Sequence, residues 1–264
     1  MGVLNVTPDS FCDGGRFLDA EAAVAQARRL IEEGADILDV GGESSRPGAA
    51  PVPAAHELER IAPVLAALAA GTVPVSVDTA KPEVMREAIG CGASMINDIN
   101  ALRAPGALAA MAGAGVAVCL VHMQGEPRTM QVAPHYVDVV GEVRSFLADR
   151  AAAAVAAGIA PDRIVIDPGF GFGKTVAHNR TLLRSLDVLT ALGHPVLAGL
   201  SRKSTLGRIT GRPPGERLAA SVAAALLAAQ RGARILRVHD VAATRDALAV
   251  LRWLERDEQE VLRH

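Results

Sequence analysis

The sequence predicts an α/β protein, a (β/α)8 TIM barrel folded as a single domain across residues 1–264. Three observations predict it. Short, continuously apolar runs recur, each ending on a polar residue, which is the pattern of parallel strands covered on both faces. Between them lie helical stretches that close at Gly, the usual left-handed stop. Strands alternating with helices imply right-handed βαβ crossovers, and about eight such units in roughly 250 residues favour a closed barrel over an open sheet.

The elements follow in order. Val3-Leu4 is the first apolar run, and Glu33-Gly34-Ala35-Asp36 leads into the second, Ile37-Leu38-Asp39-Val40. Val75-Ser76-Val77 is the third, and Gly92-Ala93-Ser94 introduces Met95-Ile96-Asn97-Asp98. Gly113-Ala114-Gly115 precedes Val116 to Val121, which ends at His122, and the segment from Gly158 precedes Ile164-Val165-Ile166-Asp167. Gly193-His194-Pro195 precedes Val196-Leu197-Ala198, and Gly232-Ala233-Arg234 precedes Ile235-Leu236-Arg237-Val238.

The intervening helices show the 3.6-residue period. Ala23, Ala27, Leu30 and Ile31 share one face, with Gln26, Arg28, Arg29 and Glu33 opposite. The same reading covers Ala107 to Ala112 and Ala243 to Leu254. Leu218 to Ala229 is almost wholly apolar and reads as a buried helix, too short to span a bilayer. Two Gly/Pro/Ser-rich loops, Thr7 to Phe17 and Gly41 to Pro53, are candidate lids. No Pro/Ser-rich linker divides the chain.

Composition narrows the function classes. Half of the residues are apolar and the net charge is −2, so a large aliphatic core is expected and no affinity for nucleic acid or a membrane. Cys12, Cys91 and Cys119 form no C-x-x-C pair, which excludes a zinc or dithiol motif and fits a cytoplasmic protein. Cys91 and Cys119 read as small core residues. Met1 runs directly into the first strand with no basic segment ahead of it, so no secretory signal is expected.

In this architecture the active site lies at the C-terminal ends of the strands. Those positions hold Asn5, Asp39, Asp78, Asn97, His122, Asp167, Ser201-Arg202-Lys203 and Arg237-Val238-His239. One such residue alone is ordinary turn chemistry; a full ring of them is not. Asp78, Asn97 and Asp167 are acceptors suited to a ring edge with several N–H donors, such as an aminopyrimidinone. Arg46, Arg202, Lys203, Arg237 and His239 supply positive charge, and Ser201 and Ser204 flank Lys203 at a helix start. The ring predicts a ligand with a polar heterocycle at one end and phosphate at the other. Asp167-Pro168-Gly169-Phe170-Gly171-Phe172-Gly173-Lys174-Thr175 is no P-loop, because Pro168 stands where that motif needs Gly. Its glycines let backbone approach a flat ligand, and Lys174 is either a surface charge or a substrate contact.

These residues also resemble a known family. Met1-Gly2-Val3-Leu4-Asn5-Val6-Thr7-Pro8-Asp9-Ser10-Phe11, and Asp39-Val40-Gly41-Gly42-Glu43-Ser44-Ser45-Arg46-Pro47-Gly48, are similar to the two signature loops of dihydropteroate synthases. Ser76-Val77-Asp78-Thr79, Asn97-Asp98-Ile99, His122-Met123-Gln124-Gly125, the Asp167 segment, Ser201-Arg202-Lys203 and Arg237-Val238-His239-Asp240 match in the same order. The resemblance implies condensation of a dihydropterin diphosphate with p-aminobenzoate, in a homodimer that needs Mg2+. It implies pterin contacts from Asp78, Asn97, Asp167 and Lys203. Diphosphate contacts would come from Asn5, Arg46, Arg237 and His239, with Asn5 touching the metal. Phe11, Ser45, Pro47, Phe172, Lys203 and Ser204 would surround p-aminobenzoate, and Asp78, Asp167, Lys203, Arg237 and His239 would carry the catalysis.

Three departures stand out. Ser45 replaces the family's usual Thr, Cys12 its usual Ser, and the chain starts at the first strand, which leaves the floor of the barrel in question. A pterin-dependent methyltransferase barrel, a non-catalytic pterin-binding paralogue and a Schiff-base aldolase using Lys203 are the rival readings. The methyltransferase leaves the basic Arg237/His239 end unexplained, and both signature loops argue against the paralogue. Anion binding is the simpler role for Lys203.

Overall fold

In the computed structural model, residues 1–7, 16–44 and 48–255 are described. Eight short parallel strands carry the architecture: β1 (Gly2–Asn5), β2 (Leu38–Gly41), β3 (Val75–Asp78), β4 (Met95–Asp98), β5 (Ala117–Val121), β6 (Ile164–Asp167), β7 (Val196–Ala198) and β8 (Ala233–Leu236). They pair in sequence order from β1 to β8. A bridge between Gly2 and Val238 joins the last strand to the first, with Val3 N–H donating to Val238 at 3.0 Å and Val238 N–H to Met1 at 2.9 Å. The (β/α)8 barrel expected from the chain is the fold observed.

The strands are apolar throughout because each has two covered faces. Val77, Ile96, Val118, Leu120, Ile164, Ile166 and Val196 join the outer core beneath the helices. Alternate residues point inward, as the two-residue period of a strand requires. Met1, Met95, Cys119, Val121, Val165 and Leu197 fill the barrel interior with a second apolar cluster, so its floor is packed. One step further along the strands the same inward positions turn polar: Asn5, Asp39, Asp78, Asn97, Asp167 and Arg237.

The helices are α1 (Arg16–Glu32), α2 (Ala54–Leu68), α3 (Pro82–Gly90), α4 (Ala107–Met111), α5 (Val139–Ala156), α6 (Val176–Arg184), α7 (Leu186–Thr190), α8 (Ser204–Thr210), α9 (Leu218–Gln230) and α10 (Val241–Glu255). α1 buries Ala23, Ala27 and Leu30, as its period predicts. Gly34, Gly158 and Gly232, each following a helix, take φ of 90°, 96° and 94°, a conformation that only Gly adopts without strain.

Two expectations need correction. Cys119 is buried, but Cys91 is exposed, because it caps the C-terminus of α3. α9 is not buried on all sides: Ser221, Ala224, Ala225 and Ala228 face the core, while Leu218 and Leu227 are 45% and 43% exposed. Small Ala side chains give a hydropathic sequence on both faces, so hydropathy could not tell which face packs.

Candidate active site

The inward polar residues meet at the C-terminal mouth of the barrel. Arg237, just past β8, is the hub. Its Nε donates to Asp39 Oδ2 at 2.6 Å and its Nη2 to Asp78 Oδ2 at 2.9 Å. Asn97 Nδ2 donates to the same Asp39 oxygen at 3.2 Å. A methyl group placed on Gly199 would stand 3.7 Å from Arg237 Cβ and 3.9 Å from Lys203 Nζ, so the two cations flank that glycine. A methyl on Gly41 would stand 3.5 Å from Asp78 Cβ and 3.9 Å from Asn5 Oδ1. Asn5, Asp78, Asn97, Arg237 and Lys203 are thereby gathered at one opening, with Asp167 at the end of β6.

Burial sets the electrostatics. It pushes Asp78 up to about 7, with Arg237 opposing and Asp39 adding to the rise. It pulls Lys203 down to about 8, with Asp167 opposing. Asp167 is raised by burial against the pull of Lys203 and of the Gly169 N–H, which donates to its Oδ1 at 2.7 Å. Arg237 loses solvation too, but Asp39 and Asp78 outweigh that loss and hold it charged. The mouth therefore carries groups poised near neutrality, the usual mark of a site built for chemistry.

The loop after β6 borders this mouth at Lys203. Gly169 and Gly173 take φ of 67° and 61°, and a methyl on either would fall 1.8 Å from His122 O or 2.4 Å from Gln124 O. Only Gly allows the loop to press onto the segment after β5. Lys174 fixes it there. Its ammonium is buried and donates to His122 Nδ1 at 2.9 Å, Gly169 O at 3.0 Å, Phe172 O at 3.0 Å and His122 O at 3.3 Å. Lys174 is thus neither of the expected surface charge nor substrate contact, but an interior tie. Burial and the Lys174 charge hold His122 down to about 3, so this ring is neutral. His122 lies edge-on to Phe146 of α5, away from the mouth. Phe172 returns to the site, with Lys203 Nζ 4.2 Å from its ring centre and hydrogen-bonded to Phe170 O.

The remaining predicted residues divide. Ser204 opens α8 directly after Lys203. His239 Nδ1 lies 3.0 Å from Ser201 Oγ, which also accepts from the His239 N–H at 3.2 Å. Arg202 is committed to Asp240, with Nε donating at 3.0 Å, so it adds less positive charge than the sequence suggested. Phe11, Cys12, Ser45, Arg46 and Pro47 lie outside the described residues. An open groove of about 700 Å³, lined by Arg103, His122, Gln124, Tyr136, Glu142 and Phe146 among others, shares none of the pterin residues.

Two features escaped the sequence reading. Asp39 appeared there only as a strand-end residue without a role; its period-two inward position was the available signal. Lys81, beyond β3, binds Glu43 and the fully buried Glu57 of α2. Glu43 Oε1 accepts from Val52 N–H at 2.9 Å, so this cluster ties Glu43 to the stretch just before α2. Charges so far apart in sequence gave no pattern to find.

Carboxylates, an amide and two cations gathered at the C-terminal mouth of the strands place the molecule among (β/α)8 barrels with a charged, polar mouth. Residues 1–239 match the family described as pterin binding enzyme. A dihydropteroate synthase of Escherichia coli (strain K12) is 51% identical over 252 residues, covering 95% of this chain and 89% of the relative. The structure of Xanthomonas albilineans dihydropteroate synthase with 4-aminobenzoic acid is 59% identical with a TM-score of 0.92, covering 97% of this chain and 92% of that one. The same enzyme in complex with 7,8-dihydropteroate is 56% identical with a TM-score of 0.88, covering 97% and 93%. This chain belongs to the pterin-binding enzyme family.

Proposed function

We propose that this chain condenses 6-hydroxymethyl-7,8-dihydropterin diphosphate with p-aminobenzoate to give 7,8-dihydropteroate and pyrophosphate. One observation carries the reading: Arg237 shared between two carboxylates, beside Lys203 and Asp167, in a single barrel mouth. Near-full-length relatives with that name and complexes of a relative with one substrate and with the product support it.

In this reading Asp78, Asn97, Asp167 and Lys203 hold the pterin edge. Asn5, Arg46, Arg237 and His239 face the diphosphate, and Phe11, Ser45, Pro47, Phe172, Lys203 and Ser204 surround the aminobenzoate. The methylene carbon–oxygen bond breaks first and its electron pair leaves with pyrophosphate. The electron-rich pterin carries the positive charge that results, and the ionised carboxylates favour it. The amine lone pair then forms the carbon–nitrogen bond, and the nitrogen sheds a proton. Arg237 and His239 stabilise charge growing on the leaving oxygens, which is electrostatic catalysis by preorganised donors.

Among the described residues no group of three or more His, Cys, Asp or Glu could hold a metal ion unaided. That suits Mg2+, which takes one or two protein ligands and fills its shell with substrate phosphate and water. Asn5 at the end of β1 would hold it, and the ion would neutralise charge on the leaving diphosphate.

Homodimer formation is part of the proposal. Leu218 and Leu227 of α9, with Val250, Trp253 and Leu254 of α10, are 43–68% exposed on two helices packed together. An apolar set of this kind suits a subunit interface. No described helix is long and apolar enough to cross a membrane; a cytoplasmic site of action goes with Cys91 and Cys119, the free thiols among the described residues.

The test is incubation with labelled p-aminobenzoate and dihydropterin diphosphate, with and without Mg2+. Labelled dihydropteroate is expected only with the metal. A protein that binds the pterin yet forms no product under any metal condition would sink the reading.

A further inference from the structure

We infer that Asp39 is a positioning residue of the pterin site, a buried carboxylate that anchors Arg237 and sets which end of the Asn97 amide meets the ligand. The inference rests on the pterin-transfer reading above. Arg237 is gripped by two acids that differ in access. The Asp39 side chain is 0% exposed and that of Asp78 is 15% exposed, with Arg237 at 17%. A ligand entering the mouth reaches Asp78 and competes with Arg237 for its carboxylate. Asp39 lies beyond that reach, so the 2.6 Å bond to Nε persists when Asp78 turns to the ring. An arginine tied to Asp78 alone would be released by the substrate it must serve.

The second half of the argument concerns Asn97, whose side chain is 95% buried by residue. Its nitrogen donates to Asp39 at 3.2 Å, which fixes the amide orientation. Its oxygen, also buried, has no protein partner. A buried acceptor without a partner is costly unless something supplies a donor. The N–H edge of a pterin supplies one. Asp39 therefore presents Asn97 as an acceptor, and the site favours rings that donate there.

The test compares Asp39→Asn with Ser76→Ala. Ser76 is the register neighbour of Asp39 and is fully buried, so Ser76→Ala serves as the packing control. Asp39→Asn is expected to lower kcat/KM for dihydropterin diphosphate by about 10- to 100-fold, the usual size for one charge-assisted hydrogen bond. The KM for p-aminobenzoate should not move, and Ser76→Ala should leave both substrates unaffected. No loss in Asp39→Asn, an equal loss toward both substrates, or the same pattern in Ser76→Ala overturns the inference. A measurement on the unmodified protein removes any dependence on the variant folding. The Arg237 Nε–H proton should be protected from solvent exchange both alone and with 6-hydroxymethyl-7,8-dihydropterin bound; loss of protection on binding overturns it. The two readings fail separately. Absence of product from the unmodified protein strikes the transfer reaction, whereas normal turnover with an unaffected Asp39→Asn protein strikes only the role of Asp39.

Discussion

Two lysines on neighbouring loops, Lys174 buried and Lys203 half-buried, have opposite fates. Lys174, after β6, has four acceptors arranged around its ammonium. Lys203, after β7, reaches one carbonyl, that of Phe170, and otherwise lies over the Phe172 ring beside Asp167 and Arg237. Burial depresses both, to about 7 and about 8. A perturbed lysine is therefore no guide to function by itself. What separates them is spare hydrogen-bonding capacity: Lys174 is saturated by the loop it holds, and Lys203 keeps donors for a ligand.

The sharpest way to break this contrast is to remove each charge in turn. Lys203→Met should reduce kcat/KM on the order of 100-fold or more, the scale seen when a preorganised donor is lost, with little change in thermal midpoint. Near-normal turnover would place the two lysines in one class. Lys174→Met should act on stability instead. It takes the ammonium away from His122 Nδ1, His122 O and Phe172 O, while Gly169 O keeps the Phe172 N–H; a cost of about 2–4 kcal/mol in a chain of this size lowers the midpoint by about 4–16 °C. Calorimetry checks this, and an unchanged midpoint would show that the loop after β6 does not depend on the tie.

The pH profile sharpens the same contrast on a smaller scale. Asp78 is raised to about 7, so its carboxylate forms only as pH climbs through that value; Lys203 is lowered to about 8, so its charge is lost above it. Plotted against pH, kcat/KM for the pterin substrate should rise through about 7 and fall beyond about 8, by up to roughly tenfold per pH unit on each limb. Lys203→Met should abolish the alkaline limb alone, and an alkaline limb that survives it belongs to another group. The smallest effect is expected at Cys91, exposed at the end of α3: Cys91→Ser should change neither turnover nor midpoint by a measurable amount, which parallel assays would show.

Much of the fold was legible because a parallel barrel is locally coded. Val196-Leu197-Ala198 between Pro195 and Gly199 has few alternatives to a strand covered on both faces, and β7 spans those three residues. The site was legible for a related reason, since residues after such runs must emerge at one end of the barrel. Asp78, Asn97 and Asp167 could be read off that way. Arg202 and Lys174 could not, because their partners, Asp240 and the His122 segment, come from other units of the chain. The packed face of α9 was equally hidden, since an alanine-rich helix has two faces of similar hydropathy.

The sequence by itself determined the order of strands and helices, the inward and outward alternation along each strand, and the ring of polar residues at the mouth. All of these follow from short-range periodicity and the stereochemistry of glycine. Only the tertiary structure decided which charges meet. Asp39 and Arg237 are far apart in the chain but 2.6 Å apart in the barrel, while Arg202 turns to Asp240. Pairing energies depend on distance and burial, and closure of the ring sets both.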